Sequence, residues 1–271
     1  MSDSPSLLVF GAHPDDCEFT AGGLAALYAA RGSRVCFVSV TNGDAGHQTL
    51  GGTTLARIRR EEARCAAAVI GIESRVLDNH DGELTPTLER RREIIGVIRD
   101  FRPDLILTPR PNDYHPDHRY TSILVQDAAY MVTVPNIRAF ADHLPRDPVI
   151  MYVRDHFKKP YPFTPDVVVD IESVVDKKAE MMHCHASQVY EWLPYNGGYL
   201  DQVPADPEAR RSWLRERREA QMRAETERYR DLLVAKYGPE RGARIQYAEA
   251  FEACEYGSPL TAEARERLFP M

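Results

Sequence analysis

The sequence predicts an α/β protein with a Rossmann-like, doubly wound sheet that is mostly parallel and carries helices on both faces. Short apolar runs alternate with segments of helix length through about the first 190 residues. Strands buried on both faces of a sheet appear as continuous apolar runs, and their alternation with helices is typical of βαβ units. At 271 residues the chain is long enough to bury the core of one large α/β domain.

The individual elements follow from this alternation. The predicted strands cover residues 6–12, 34–41, 74–78, 104–109, 149–153 and 166–171. The predicted helices cover residues 19–32, 53–72, 87–101 and 174–185. Gly32 and Gly71 stand at helix ends, where glycine is favoured, and Pro103 ends the third helix. Thr53 or Thr54 is predicted to cap the N-terminus of the second helix.

The pattern changes after about residue 188. This change predicts a Rossmann-like domain over residues 1–188 and an extension over residues 189–271 that packs on the same domain. Residues 188–200 are aromatic and predict a loop, which either stacks on a ligand or covers an edge of the core. Residues 206–238 are rich in both Arg and Glu and predict one long helix with a solvated face.

The composition argues against several kinds of partner. The net charge is −7, whereas general nucleic-acid binding requires a basic surface. No apolar run approaches the roughly 18 residues of a membrane-spanning helix, and the N-terminus lacks the pattern of a signal peptide. Five scattered cysteines without a CxxC pair indicate neither a disulfide framework nor a structural zinc site. We therefore expect a reduced, cytoplasmic protein with no nucleic-acid or membrane partner.

Two polar clusters directly follow predicted strands. GAHPDDCE at 11–18 follows the first strand, and PRPNDYHPDHRY at 109–120 follows the fourth. In a sheet of order 3-2-1-4-5 these two strands are neighbours, and ligands bind beyond the carboxyl ends of such strands, where the strand order reverses. We therefore expect the two clusters to meet in one crevice.

The residue types in these clusters favour a metal site. Histidine and carboxylate ligands without cysteine are typical of catalytic zinc or another borderline divalent metal. His13, Asp16 and one histidine of HPDH supply three ligands, and Asp15 and the second histidine remain as an acid–base pair. The structural alternative is that Asp15 and Asp16 cap the following helix and that Pro116 begins another. Glu18 is expected either behind the ligands or as a further helix cap.

Together the two motifs resemble a known family. AHPDDCE at 12–18 and HPDH at 115–118 are similar to the AHPDDxE and HxDH signatures of the LmbE-like/PIG-L family of zinc-dependent N-deacetylases. Further segments that resemble this family are TNGDAG at 41–46, IRREEA at 58–63, DGEL at 81–84, HASQ at 185–188 and AEAF at 248–251. The resemblance implies the LmbE-like fold, makes residues 1–188 the catalytic domain, and implies hydrolysis of the acetamido group of a glucosamine-type sugar.

The resemblance also implies roles for the motif residues. His13, Asp16 and His118 match the ligands of one Zn²⁺ per chain, for which Fe²⁺ is an alternative because it accepts similar ligands. Asp15 matches the general base that activates water. His115 matches the histidine that stabilises the oxyanion and protonates the leaving amine.

The remaining candidate residues concern the substrate and the orientation of His115. The resemblance implies that Asp44 binds a sugar hydroxyl and that Arg59 lines the pocket, while their structural alternatives are a turn residue and a helix-surface charge. Asp81 serves either the substrate or its own loop. Asp117 is expected to hold the imidazole of His115 in place.

These observations predict a zinc-dependent N-deacetylase whose partner is a small N-acetylated sugar conjugate and which either stays a monomer or forms a homo-oligomer. One alternative is an amidase that acts on S-conjugates of a sugar thiol. Another is a non-catalytic, metal-dependent binding protein, which would have no need of Asp15 and His115. A dehydrogenase or kinase is disfavoured, because neither GxGxxG nor GxxxxGK[ST] follows any predicted strand.

Overall fold

Seven strands form a single sheet in the described residues, which are 4–137 and 142–269 of this computed structural model. They are β1 (Leu7–Gly11), β2 (Val35–Ser39), β3 (Glu73–Val76), β4 (Leu105–Thr108), β5 (Val149–Val153), β6 (Val167–Asp170) and β7 (Ala248–Ala253). Their order is β3-β2-β1-β4-β5-β7-β6. The first five pair in parallel, whereas β7 pairs antiparallel with both β5 and β6. The predicted fold class and the predicted order of the first five strands are confirmed.

Helices cover both faces of the sheet. They are α1 (Asp16–Ala30), α2 (Gly52–Ile70), α3 (Leu88–Phe101), α4 (Pro116–Ala128), α5 (Val175–Cys184), α6 (Leu193–Asn196), α7 (Pro207–Thr226), α8 (Arg230–Tyr237), α9 (Pro239–Arg244) and α10 (Ala262–Leu268). Leu7 and Val9 of β1 pack in the core beneath α1 and α5. Leu8 and Phe10 pack in the opposite core beneath α3 and α4. Successive side chains of a strand point to opposite faces, so β1 is buried on both sides.

The start of α2 differs from its prediction. The helix begins at Gly52 and its N-cap is Gly51, which offers no side-chain hydrogen bond. The backbone N–H of Gly52 instead donates to the carbonyl oxygen of Asp44 at 2.8 Å. A backbone group of the preceding loop therefore replaces a hydroxyl cap, and the prediction of Thr53 or Thr54 as the cap is wrong. The helix end is confirmed, with Gly71 in the left-handed region at φ 70°.

The C-terminal third also differs from its prediction. The stretch predicted as a loop is helical, with a π-helical turn over Ser187–Trp192 followed by α6. The predicted long helix is divided into α7 and α8 by a 3-10 turn over Glu227–Tyr229. Thr226 explains the break, because its hydroxyl donates to the carbonyl oxygen of Met222 and accepts from the N–H of Ala248 in β7. The division of the chain at residue 188 stays a prediction.

Within the described residues, no helix combines the length and the apolar character that crossing a bilayer requires.

A buried ion pair joins α5 to β7, and both of its side chains also contact the backbone of α1. Lys178 Nζ on α5 lies 2.5 Å from Glu249 Oε1 on β7, and both side chains are almost fully buried. Glu249 also accepts from the backbone N–H groups of Gly23 and Leu24 on α1, and Lys178 donates to the carbonyl oxygen of Phe19. Three elements are therefore held together at the helix that begins the first polar cluster.

The turn between β1 and α1 is strained. Asp15 has φ 141° and ψ −25°, a conformation that non-glycine residues rarely adopt. Its side chain makes no capping hydrogen bond to α1, so the structural alternative for Asp15 is wrong. Strain of this kind costs about 1–3 kcal/mol and persists where the surrounding structure enforces it.

We expect the change Lys178→Met to lower the free energy of unfolding by about 3–5 kcal/mol, because it leaves the Glu249 carboxylate buried without its cation. Urea denaturation followed by circular dichroism measures this. The matched control is Arg211→Met, which breaks the exposed pair between Arg211 and Glu180 and should cost less than about 1 kcal/mol. Equal losses in the two variants would contradict the importance of the buried pair.

We expect Asp15→Gly to be more stable than Asp15→Ala by about 1 kcal/mol, since both variants lose the carboxylate but only glycine relieves the backbone strain. The control pair is Glu216→Gly and Glu216→Ala in the middle of α7. There the order should reverse, with glycine less stable by about 1 kcal/mol. The same order at both positions in urea denaturation would argue against strain at Asp15.

Candidate metal centre and active site

The two polar clusters meet, as predicted, in a cavity of about 530 Å³ at the carboxyl ends of β1 and β4. His13, Asp15 and Asp16 enter it from the β1–α1 turn, and His115 and His118 enter it from the start of α4. Because β1 and β4 are hydrogen-bonded neighbours, residues about a hundred positions apart in the chain become direct contacts. The loops after β2 and β3, the helices α2 and α7, and the π-helical turn with α6 supply the rest of the wall.

Three side-chain atoms lie at metal-ligand spacing. His118 Nε2 is 3.3 Å from His13 Nδ1 and 3.4 Å from Asp16 Oδ2, and His13 Nδ1 is 3.5 Å from Asp16 Oδ2. Bonds of 2.0–2.2 Å to a tetrahedral zinc place its ligand atoms roughly 3.3–3.5 Å apart. The three predicted ligands therefore form a group that could hold such an ion.

Carboxylates contact the outer nitrogens of both histidines. His13 Nε2 lies 3.1 Å from Asp81 Oδ1 and 3.3 Å from Asp117 Oδ2. His118 Nδ1 lies 3.2 Å from Asp113 Oδ2. A histidine that binds a metal commonly donates its other N–H to a carboxylate, which orients the ring and increases its basicity. The arrangement suits His13 Nδ1 and His118 Nε2 as ligand atoms.

The electrostatics of this group favour a cation. Burial lowers the pKa of His13, but hydrogen bonds with Asp117, Asp16 and Asp81 more than offset it, so this pKa lies well above its usual value. Burial raises the pKa of Asp16, but the imidazoles of His118 and His13 outweigh it, so the pKa of Asp16 lies well below its usual range. The cluster of carboxylates thus stabilises positive charge at its centre.

Asp15 is a buried carboxyl group beside an arginine. Burial raises its pKa to about 6, although Arg59 acts in the opposite direction. Arg59 Nη2 lies 3.5 Å from Asp15 Oδ1 and donates to the carbonyl oxygen of Pro14. Arg59 is only 1% exposed, so it is not the helix-surface charge that was its structural alternative. It lines the cavity and holds the strained Asp15 turn.

The structure places Asp117 differently from its prediction. Its carboxylate contacts His13 Nε2 and accepts from the backbone N–H groups of Gly82 and Leu84. The contact with His115 is made by the backbone, since the N–H of Asp117 donates to His115 Nδ1 at the helix N-terminus. The prediction that the Asp117 side chain holds His115 is therefore corrected. Because Nδ1 accepts, Nε2 is the protonated nitrogen of a neutral His115.

The two remaining substrate candidates lie in different surroundings. Asp81 lines the cavity, and its Oδ2 accepts from the N–H of Gly46 at 3.0 Å. Asp44 is buried outside the lining, where its oxygens contact His80 Nδ1 at 2.6 Å and the N–H of Asp81 at 3.0 Å. The structure therefore brings Asp81 to the site and gives Asp44 a position that supports the Asp81 loop.

Glu18 lies behind the site. It is 3% exposed, and its Oε1 lies 3.1 Å from Nε2 of the fully buried His185. Burial lowers the pKa of His185, but the charge of Glu18 more than offsets it and raises the pKa. This pair joins α1 to the end of α5, and it settles the two expectations for Glu18 in favour of a position behind the ligands.

The C-terminal third supplies another part of the cavity wall. Trp192 and Gln188 of the π-helical turn line it, which agrees with the ligand-side alternative for residues 188–200, and Arg218 of α7 lines it without having been predicted. Gln188 donates to the carbonyl oxygen of Gly46 at 3.0 Å, which ties this wall to the loop after β2. Asp113 was also missed, although its position two residues before HPDH is visible in the sequence.

Comparison with known proteins agrees with this geometry. The family model for GlcNAc-PI de-N-acetylases (PIG-L) matches residues 8–129. A diacetylchitobiose deacetylase from Thermococcus kodakarensis is 32% identical over 205 residues, which are 72% of this chain and 76% of that protein. A 4-oxalmesaconate hydratase from Pseudomonas putida is 29% identical over 198 residues, 70% of this chain and 76% of that protein.

A solved structure matches over nearly the whole chain. The N,N′-diacetylchitobiose deacetylase from Pyrococcus horikoshii has a TM-score of 0.71 and 25% identity, and the match covers 94% of this chain and 85% of that one. Two complete motifs on neighbouring strands, the shared fold and these sequence matches lead to one conclusion: the chain belongs to the PIG-L (LmbE-like) family.

Proposed function

We propose that the protein is a metal-dependent N-deacetylase that removes the acetyl group from a small N-acetylated sugar conjugate. The observation that carries this proposal is the spacing of 3.3–3.5 Å among His13 Nδ1, Asp16 Oδ2 and His118 Nε2. Asp15 and His115 line the same cavity and supply the acid–base groups of amide hydrolysis. Both Thermococcus and Pyrococcus relatives are deacetylases, which supports this reaction over others.

The donor set fits one divalent ion. His13, Asp16 and His118 would hold it, and two imidazoles with one carboxylate suit Zn²⁺, with Fe²⁺ as the alternative. When bound, such an ion lowers the pKa of a water towards about 7 and polarises a carbonyl oxygen. Asp81, Asp117 and Asp113 would orient the two histidines, since they contact the nitrogens that do not face the group's centre.

Asp15 is proposed as the base that takes the proton of the attacking water. Its pKa of about 6 leaves it ionised at neutral pH and close enough to the working pH to accept and release a proton. Asp15 and Asp16 are adjacent in the chain. The unusual φ of Asp15 allows the two carboxylates to serve separately, Asp15 as the base and Asp16 as a metal ligand. Arg59 keeps the Asp15 carboxylate in place.

His115 is proposed as the group that donates a hydrogen bond to the amide oxygen, whereas protonation of the leaving nitrogen, its second expected task, does not suit a ring whose Nδ1 accepts a hydrogen bond. Its Nδ1 accepts a backbone hydrogen bond, so the proton of the neutral ring is on Nε2. Burial and the neighbouring His13 and His118 lower its pKa. A lowered pKa keeps the ring neutral at neutral pH, so His115 acts as a hydrogen-bond donor to the developing oxyanion. The proton that Asp15 takes from water then passes to the leaving nitrogen as the C–N bond breaks.

A second candidate is addition of water to a substrate without release of acetate. The Pseudomonas relative, at 29% identity over 76% of its length, is a hydratase. An amidase for S-conjugates of a sugar thiol would use the same cavity and the same acid–base pair. Assay of acetate release from N-acetylglucosamine and diacetylchitobiose separates deacetylation from hydration.

The five free cysteines support a reducing, cytoplasmic location as part of the proposal.

We expect the purified protein to bind about one divalent ion per chain and His118→Ala to lose it, because two remaining ligands hold an ion weakly. Elemental analysis after dialysis measures the stoichiometry. The control is His156→Ala, which removes an exposed histidine away from the cavity and should keep the ion. A metal-free wild type that cannot be reloaded with Zn²⁺ or Fe²⁺ would disprove the metal site.

We expect Asp15→Asn to keep the metal and to lose at least about 10²–10³-fold in kcat, because an amide cannot accept the proton of water. Acetate release under saturating substrate, together with metal analysis, measures both effects. Glu216→Gln removes an exposed carboxylate of α7 and should retain activity. Turnover by Asp15→Asn near the wild-type rate would remove Asp15 from the role of base.

A further inference from the structure

Arg218 is a cavity residue to which the proposed reaction assigns no task. It projects from α7 of the C-terminal extension and lines the same cavity as the metal-ligand group, Asp15 and His115. Its Cζ lies 4.5 Å from the centre of the Phe19 ring, which also lines the cavity. A cation–π contact of this kind holds the guanidinium at the wall without consuming its hydrogen-bond donors.

The donors of Arg218 are mostly unused. Its Nη1 donates to Gln221 Oε1 at 3.0 Å, whereas its Nε is buried and has no hydrogen-bond partner within residues 4–137 and 142–269. In the same ranges no carboxylate lies within ion-pair distance of its guanidinium. A buried donor without a partner costs free energy, and a bound ligand removes that cost.

Three other arginines of α7 have carboxylate partners, whereas Arg217 and Arg218 have none within the described ranges. Arg211 pairs with Glu180, Arg215 with Asp176 and Glu219, and Arg223 with Glu219. Arg217 is the closest comparison, because its guanidinium stacks on Tyr199 at 4.0 Å and lies outside the cavity lining. Helix α7 therefore has a solvated face of mixed charge, as predicted, and in addition one arginine that faces the cavity.

Burial is the main influence on the charge of Arg218. It lowers the pKa of the guanidinium, with Tyr199 and Asp15 acting in the opposite direction and Arg217 and Arg154 in the same direction. Arginine presents a planar fork of N–H donors that matches a carboxylate or a phosphate. An anionic ligand would supply both the charge and the acceptors that this guanidinium lacks.

We propose that Arg218 forms an anion subsite and that the sugar conjugate carries a carboxylate or phosphate on the group attached to the sugar. This inference rests on the proposed function for the orientation of the substrate. The acetamido group lies at the metal-ligand group, and the anionic substituent lies at Arg218 in the same cavity. Specificity for the substituent would then come from α7, whereas the bond-breaking residues come from α1 and α4.

Three compounds test the subsite. They are the carboxymethyl glycoside of N-acetylglucosamine, its neutral carboxamidomethyl counterpart, and N-acetylglucosamine 1-phosphate. Calorimetry on the metal-loaded Asp15→Asn protein measures binding without turnover. We expect at least one anionic compound to bind about 10- to 100-fold tighter than the neutral one, as is typical of hydrogen bonds to charged groups. The compound with the larger gain identifies the anion.

Variants of the two adjacent arginines assign the effect. In the same protein, Arg218→Gln should bring the anionic-to-neutral affinity ratio to about one, and Arg218→Lys should leave it at an intermediate value because lysine keeps the charge without the fork. Arg217→Gln removes the same charge next to it and should leave the ratio at its original value. Equal weakening of all three compounds by Arg218→Gln would indicate a structural role and overturn the proposal.

Other outcomes are equally decisive. Absence of a charge preference, or absence of measurable binding of both anionic compounds, overturns the anion subsite. A separate assay of acetate release by the wild-type enzyme tests the reaction. A preference that depends on Arg218 without acetate release from any compound supports the subsite and rejects deacetylation, whereas acetate release without a preference does the reverse.

Discussion

The parallel pairing of β1 with β4 is the constraint on which the site depends. Leu7, Leu8 and Val9 pair with three consecutive residues of β4, so both strands end at the same edge of the sheet. The chain reverses its direction of winding at this pair, since β2 and β3 lie to one side and β5 to the other. A crevice opens where the following segments diverge. His13 and His118 come within 3.3 Å of each other for this reason.

The strained turn and the buried charges at this crevice are stabilised by contacts from other helices and strands. The β1–α1 turn keeps Asp15 in a strained conformation, and Arg59 of α2 stabilises it with a hydrogen bond to the carbonyl oxygen of Pro14 and an ion pair with Asp15. Behind the turn, buried pairs between Glu18 and His185 and between Lys178 and Glu249 tie α1 to α5 and β7. Buried charges are stable only when they are paired. The scaffold therefore supports the site with buried ion pairs.

The sequence predicts the parts of the structure that depend on local pattern and on motif spacing. Continuous apolar runs define the parallel strands, and two motifs at strand ends locate His13, Asp16 and His118. The sequence does not predict the parts that depend on tertiary contacts. The backbone carbonyl of Asp44, and not a threonine hydroxyl, caps the start of α2. The side chain of Asp117 contacts His13 instead of His115. Arg218 could not be found because its sequence neighbours are also arginines. Only the packing of α7 shows which one faces the cavity.

The two walls of the cavity come from different parts of the chain. The segment matched by the family model ends at residue 129 and contains the whole metal-ligand group, whereas Gln188, Trp192 and Arg218 lie beyond it. The walls are nevertheless joined, because Gln188 donates to Gly46 and His47 Nε2 lies 2.8 Å from Glu191. Substitutions in the C-terminal wall can therefore alter which substrate fits while the metal-ligand group keeps its geometry.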